Sequence, residues 1–274
     1  MVTGASSGIG KATAEVLAGM GATVYLVCRD ESRAAAAVTE ITQKTGNKKV
    51  HALLADLSET QQVRSAAQQF LLSGSPLHIL INNAGSVFGA KRQLSSTGSE
   101  LTFALNHLGH FALTLSLLER LAESASARIV NVASDAYRMA KGRFDFGDYN
   151  AELSYNAARQ YGLSKLANIL FTQDLARRVH SKNITVNAAV PGLTASNFGK
   201  NTGPLGKLLM GLVKPFSATP HASAKISVDL ATAPDMANVS GRCFSAKGPL
   251  NIPESLCPEI DARKLWDLSE RLTG

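Results

Sequence analysis

The chain has 274 residues, 45% of them hydrophobic and 18% charged, with a formal charge of +7 and a pI of about 9.4. This composition supports a packed core and excludes a disordered chain, and the length suits one large α/β domain or two small ones. Three cysteines without metal-ligand spacing exclude a disulfide framework and fit a reducing, cytoplasmic setting. No leader pattern or run of 18 apolar residues predicts secretion or a membrane span. The basic residues are dispersed, densest at Asn47-Lys48-Lys49 and Arg177-Arg178, and no zinc-finger or RNP pattern accompanies them, so no nucleic-acid partner is expected.

Met1-Val2 leads into Thr3-Gly-Ala-Ser-Ser-Gly-Ile-Gly10 and then Lys11 to Ala18. Glycines at spacings of four and two predict a tight turn opening a helix. The free N–H groups and positive dipole end of such a helix form a seat for a pyrophosphate. A lone glycine fingerprint is also an ordinary Gly-rich loop, but a strand predicted over Ala22–Cys28 follows at the distance a βαβ unit needs. Selection of NAD would place Asp or Glu at the end of that strand. Here Cys28 is followed by Arg29, a cation that suits a 2′-phosphate, so NADP(H) is expected ahead of NAD(H). The competing reading of Arg29 is a surface ion pair with Asp30 or Glu31.

Further strands are predicted over Lys49–Asp56, Leu77–Asn82, Arg128–Ala133 and Asn183–Val190, with a short one over Arg242–Ser245. Helical periodicity covers Glu59–Leu72, about Ser99–Ala122, the stretch from Tyr161 to about His180, and Asp261–Leu272. The alternation implies an α/β fold: a single doubly wound Rossmann-type domain over 1–274, with a mostly parallel seven-stranded sheet and helices on both faces. Ligands should collect beyond the carboxyl ends of the strands. On that edge fall Gly4 to Gly10, Arg29, Asp56, Asn83, Ser134 and Pro191-Gly192. No linker or repeat divides the chain.

Tyr161 and Lys165 are four apart, on one helix face and one turn from each other. A phenol with an ordinary pKa of about 10 is a poor acid–base catalyst near neutrality, and a fixed ammonium one turn away would pull it toward the working range. Alone, the pair is more often a solvated helix face. Ser154 and Ser164 read as cap or surface residues. His107 and His110, three apart without a carboxylate, read as helix packing rather than metal ligands, and no metal is expected.

Together these motifs resemble the short-chain dehydrogenase/reductase family across essentially the whole chain: the glycine turn, Asp56-Leu57, Asn82-Asn-Ala-Gly85, Asn106, Ser134, Tyr161-x-x-x-Lys165 and Pro191-Gly192. Cys28-Arg29-Asp30, Asn106-His-Leu-Gly-His-Phe111, Ser164-Lys-Leu-Ala-Asn-Ile-Leu-Phe-Thr172 and Leu265-Trp-Asp-Leu-Ser269 look like its retinol-dehydrogenase-like branch. The resemblance implies a catalytic set of Asn106, Ser134, Tyr161 and Lys165. Tyr161 would exchange a proton with the substrate oxygen as hydride moves to or from nicotinamide. Lys165 would bind the nicotinamide ribose and depress the tyrosine pKa, Ser134 would hold the substrate oxygen, and Asn106 would hold a water. It further implies cofactor contacts at Gly4, Ser6, Ser7, Gly8, Ile9, Gly10, Arg29, Asp56, Leu57, Asn83, Ala84, Gly85, Tyr161, Lys165, Pro191, Gly192, Thr194 and Ser196.

Two departures stand out. Ser134 and Tyr161 are 27 residues apart, around an insertion (Tyr137 to Asn156) rich in Arg, Asp and aromatics. The first strand is only Met1-Val2, a stub where a central strand needs its full ladder, which favours a start upstream of Met1. The segment 202–216 falls where the family places a substrate lid, and its Leu, Met, Val and Phe content suits a lipophilic aldehyde, ketone or alcohol. It equally suits an amphipathic core helix. Peripheral membrane contact through Lys207 and Lys214, and homo-oligomerisation, stay open. A nucleotide-binding regulator without turnover is the rival function.

Overall fold

The computed structural model describes residues 1–192 and 218–274. The strands are β1 Val2–Thr3, β2 Val24–Cys28, β3 Val50–Leu54, β4 Ile79–Asn82, β5 Ala127–Val132, β6 Ile184–Val190, β7 Cys243–Ser245 and β8 Gly248–Leu250. They form one sheet in the order β3-β2-β1-β4-β5-β6-β7-β8, parallel throughout except for β7 against β8. The sheet thus has eight strands among the described residues, not the seven expected. The extra one is a three-residue antiparallel edge whose middle residue, Pro249, donates no ladder hydrogen bond.

The helices are α1 Gly8–Gly19, α2 Glu31–Thr45, α3 Thr60–Leu72, α4 Leu101–Phe103, α5 Gly109–Glu123, α6 Ala157–Arg178, α7 Pro220–Thr232 and α8 Glu259–Thr273. Side chains that can turn back on the main chain set several starts. Asp30 accepts from Arg33 N to begin α2, Asn156 accepts from Arg159 N to begin α6, and Thr219 accepts from Ala222 N just before Pro220 in α7. Strand alternation then separates two layers. On β2, Leu26 and Cys28 pack with Leu17 of α1, Ile41 of α2 and Leu230 of α7. Val27 faces the opposite layer, with Phe70 of α3, Leu117 of α5 and Leu175 of α6. A third cluster joins Leu163 and Leu166 of α6 to Phe103, Phe144 and Leu265.

Although only two residues long, β1 is bonded on both sides. Val2 and Thr3 pair with Leu26 and Val27, and Val2 with Ile81. Gly4 N donates to Val27 O and Ile81 N to Met1 O, both at 2.9 Å. The strand order reverses at β1 and β4, so the loops leaving these two strands flank the crevice in which a doubly wound sheet binds its ligand.

The single helix expected over 99–122 is interrupted by a π-turn, Ala104–Leu108, between α4 and α5. The turn lets the start of α5 press against the chain leaving β3. A Cβ on Gly109 would lie 2.1 Å from the carbonyl oxygen of Leu57, backbone against backbone. Gly109→Ala is therefore expected to destabilise the protein by about 3 kcal/mol. Urea unfolding checks this, and a variant as stable as the parent would mean that the two segments are free to separate.

Candidate active site

The glycine turn is folded onto the loop after β4. Gly4 and Gly8 have φ of +65° and +60°, and a Cβ on Gly4 would sit 2.8 Å from Ala84 Cα. Gly10 is equally constrained, because a Cβ there would lie 2.4 Å from Asn83 Nδ2. Thr3 fastens the two loops: its hydroxyl accepts from Asn83 N and Ala84 N, and its carbonyl accepts from Asn83 Nδ2. Beyond the turn, α1 begins with no capping bond from Ser7 and no acidic residue in its first turn. Open N–H groups at a positive helix end, on glycines that leave the backbone bare, fit a dinucleotide pyrophosphate.

At the end of β2 the charges are arranged differently from the sequence expectation. Arg29 pairs across to Asp56 at 3.3 Å, not with Asp30 or Glu31. Asp30 instead caps α2 and accepts from Ser32. A second guanidinium, Arg33, reaches Ser7 Oγ at 3.3 Å. In the sequence, the signal for Arg33 is a second cation in the first turn of the helix that follows β2. Burial pushes the Cys28 thiol up, and Ser6 hydrogen-bonds it. Ile9 lies half-buried at the start of α1, while Leu57 is buried with its carbonyl against Gly109.

The catalytic candidates come from three elements. Ser134 lies two residues past β5 and starts a 3-10 turn, Asp135–Ala140, by accepting from Ala136 N. Tyr161 and Lys165 lie on α6, whose Gly162 lets that turn approach closely: a Cβ there would be 2.6 Å from Ala140 N. Ser134 hydrogen-bonds the Tyr161 phenol, and the Lys165 ammonium stands 5.6 Å from the Tyr161 ring centroid. Lys165 is almost fully buried and donates to Val132 O at 2.9 Å. Burial lowers its pKa to about 8 and raises that of Tyr161, with only Ser134 opposing the rise. Lys165 does not oppose the rise in the half-buried phenol, since its ammonium is turned to the Val132 carbonyl.

Asn106 sits in the π-turn. Its side-chain oxygen accepts from Ser86 N, while its Nδ2 donates to Ser86 O and to Ser164 Oγ at 2.9 Å. Ser164 is fully buried and donates to Tyr161 O, which corrects its reading as a cap or surface residue; Ser154 is exposed. Gly85 completes the group, since a Cβ there would be 3.2 Å from Lys165 Nζ and 3.5 Å from Asn106 Oδ1. Pro191 and Gly192 follow β6 on the same edge. Thr194, Ser196 and the expected lid at 202–216 lie outside the described residues. A hollow of about 560 Å³ lies elsewhere, around Arg177, His180 and Glu254, and is lined by none of these side chains.

The insertion after Ser134 carries its own framework. Arg159 binds Asp145, Gln160 donates to Tyr149 O, and Asp148 collects Glu152 N and Leu153 N. Phe144 is buried against Phe103, and Arg143 clasps Asp261 of α8 through two bonds.

His107 and His110 are buried on the π-turn side. His107 meets Ser269 and Asn168, and His110 meets Asn106 and Thr3. Burial lowers their pKa values to about 4 and about 3. An unfolded histidine takes its proton near pH 6.5. Stability is therefore complete above about pH 6.5 and is lost as pH falls toward 4, by about 3 kcal/mol per residue. Urea midpoints between pH 7 and 4.5 should show this loss, with a shallower fall in His107→Gln. Equal slopes for the two proteins would mean His107 charges freely in place.

The model for short chain dehydrogenases matches residues 1–204. The chain is 41% identical over 274 residues to retinol dehydrogenase 12 of Mus musculus, spanning all of this chain and 85% of that protein. It is 41% identical over 290 residues to retinol dehydrogenase 14 of Mus musculus, with the same coverage. Among solved structures, an uncharacterized protein from Mycobacterium paratuberculosis superposes with a TM-score of 0.77 at 30% identity, covering 99% of this chain and 91% of that one. The NADP active-site complex of Pseudomonas aeruginosa RhlG superposes with a TM-score of 0.70 at 28% identity, covering 89% of this chain and 92% of that one.

Proposed function

This chain belongs to the short-chain dehydrogenase family, with retinol dehydrogenases among its relatives, and we propose that it is an NADP(H)-dependent oxidoreductase for a lipophilic aldehyde, ketone or alcohol, retinoids included. The observation that carries the reading is one crevice holding an uncapped helix start, two arginines at the β2 edge and a half-buried phenol bonded to Ser134. The dinucleotide supplies or accepts the hydride. Gly4, Ser6, Ser7, Gly8, Ile9 and Gly10 would hold the pyrophosphate side, Asp56, Leu57 and Asn83 to Gly85 the adenosine, and Lys165, Pro191, Gly192, Thr194 and Ser196 the nicotinamide end. Arg29 and Arg33 supply the positive charge that a 2′-phosphate requires.

In the reducing direction the chain's own groups divide the work. The Tyr161 phenol, kept protonated by burial, donates its proton to the carbonyl oxygen, and Ser134 orients that oxygen. Asn106 and Ser164 fix the turn of α6 that carries the phenol. Oxidation of an alcohol runs the same proton back to Tyr161. One domain over 1–274, working in a reducing, cytoplasmic setting, is the reading that the single sheet and three buried free thiols support.

The test measures binding and consumption of NADPH and NADH by the purified protein over a panel of lipophilic aldehydes and ketones, retinal among them. NADPH turnover is the expected result. Arg33→Ala should weaken NADPH binding about ten-fold, the scale of a lost charge-assisted hydrogen bond, and leave NADH unchanged. Equal affinity for both dinucleotides would overturn the NADP(H) preference. Tight NADPH binding without turnover on any substrate would favour the regulatory reading.

A further inference from the structure

Of the buried groups without a part in the chemistry, His110 has the most informative surroundings. It is 1% exposed, Nδ1 is 3.0 Å from the main-chain oxygen of Asn106, and Nε2 is 3.0 Å from Thr3 Oγ1. The hydrogen-bond inventory assigns every proton. A carbonyl oxygen can only accept, so Nδ1 carries the hydrogen. In a neutral ring Nε2 then accepts, and the Thr3 hydroxyl must donate to it. The same hydroxyl oxygen accepts from Asn83 N and Ala84 N at 2.9 Å each. All the polar atoms of this circuit are satisfied, in one proton arrangement only.

The circuit joins the two halves of the site. At one end, Thr3 directly precedes the glycine turn and holds the Asn83-Ala84 loop against it. At the other, Asn106 lies in a π-turn, and its main-chain oxygen accepts from His110 Nδ1. The Asn106 side chain in turn grips Ser86 and Ser164 beside Tyr161. We propose that His110 is a positioning residue, which through its two ring nitrogens locks the dinucleotide-binding loops to the turn that orients Asn106 and α6. The proposal rests on the dehydrogenase reading of the crevice. It departs from the sequence reading, in which His110 only packed.

The experiment has two parts. In the first, the full chain labelled with ¹⁵N-histidine is examined by NMR without dinucleotide. His110 should show a protonated Nδ1 and an unprotonated Nε2, and amide exchange at Asn83 and Ala84 should be slow. In the second, Thr3→Val, Thr3→Ser and His110→Phe are compared for NADPH affinity in the binary complex, for kcat and KM, and for the same amide exchange. Thr3→Val and His110→Phe should bind NADPH about ten-fold more weakly and lose about ten-fold in kcat, an effect of misplacement, with substrate KM little changed. Their amide exchange should quicken, and Thr3→Ser should restore parental values. An Nε2-protonated ring, or folded variants with parental affinity, kcat and exchange, would overturn the proposal. If His110→Phe does not fold, the Thr3 pair decides. Should the parent bind no dinucleotide, the dehydrogenase reading fails on its own, while the ring tautomer and the exchange of the Thr3 variants still decide the circuit.

Discussion

Tyr161→Phe will fold, bind NADPH within about two-fold of the parent, and lose about 10³ in kcat. The phenol is the one acid bonded to Ser134 in the crevice, and burial keeps its proton on. Phenylalanine keeps the ring, its volume and its place one turn from Lys165, so packing should survive. Nor does the change orphan Ser134, whose Oγ still accepts from Ala136 N. The loss therefore belongs to the proton and not to the scaffold. Pre-steady-state and steady-state rates with a carbonyl substrate, beside equilibrium NADPH titrations, separate the two. A kcat within ten-fold of the parent would remove Tyr161 from the chemistry.

Lys165→Met moves activity and stability in opposite directions. Turnover should fall by about 10³ if, as proposed, this cation stands at the nicotinamide end. Stability at pH 7 should rise. Holding Lys165 at a pKa of about 8, against 10.5 in water, means the buried ammonium costs about 3 kcal/mol. The Nζ bond to Val132 O recovers part of this, and its loss leaves that carbonyl with the weaker Asn168 contact at 3.4 Å. A net gain of about 1–2 kcal/mol remains. The sign has a pH signature: the cost is complete below about pH 8 and vanishes as pH rises toward 10.5. The advantage of Lys165→Met in urea should thus be large at pH 7 and shrink by pH 10. A variant less stable than the parent at pH 7 would show the ammonium to be well solvated.

The parts of the fold legible in the sequence were those where one physical signal dominated. Buried parallel strands such as Ile184–Val190 are apolar runs, and a glycine turn before a helix is distinctive at any composition. The edge strand Gly248–Leu250 escaped notice because three residues with a central proline carry no alternation. The helix Pro220–Thr232 is built from small residues with little amphipathic contrast. In the site, the grouping of Asn106, Ser134, Tyr161 and Lys165 followed from motif order, but two features did not. The π-turn has no residue signature within an apolar helix, so the sequence showed continuous periodicity. The direction of the Tyr161 shift depends on how dry the pocket is and where the Lys165 ammonium points, which spacing alone cannot encode.

The insertion between Ser134 and Tyr161 has a consequence for how this scaffold can diversify. Its two ends are clamped, one by the 3-10 turn seated on Gly162, the other by Asn156 closing the start of α6. Ser134 and Tyr161, the residues proposed to act on the substrate oxygen, lie on the far side of both clamps. Any redesign of residues 141–155 between the clamps must keep the contacts they make with the start of α6 and the core: Asp145 with Arg159, Tyr149 O with Gln160, and Phe144 against Phe103. Arg143 sets the boundary condition, because its clasp on the buried Asp261 ties any replacement to the closing helix.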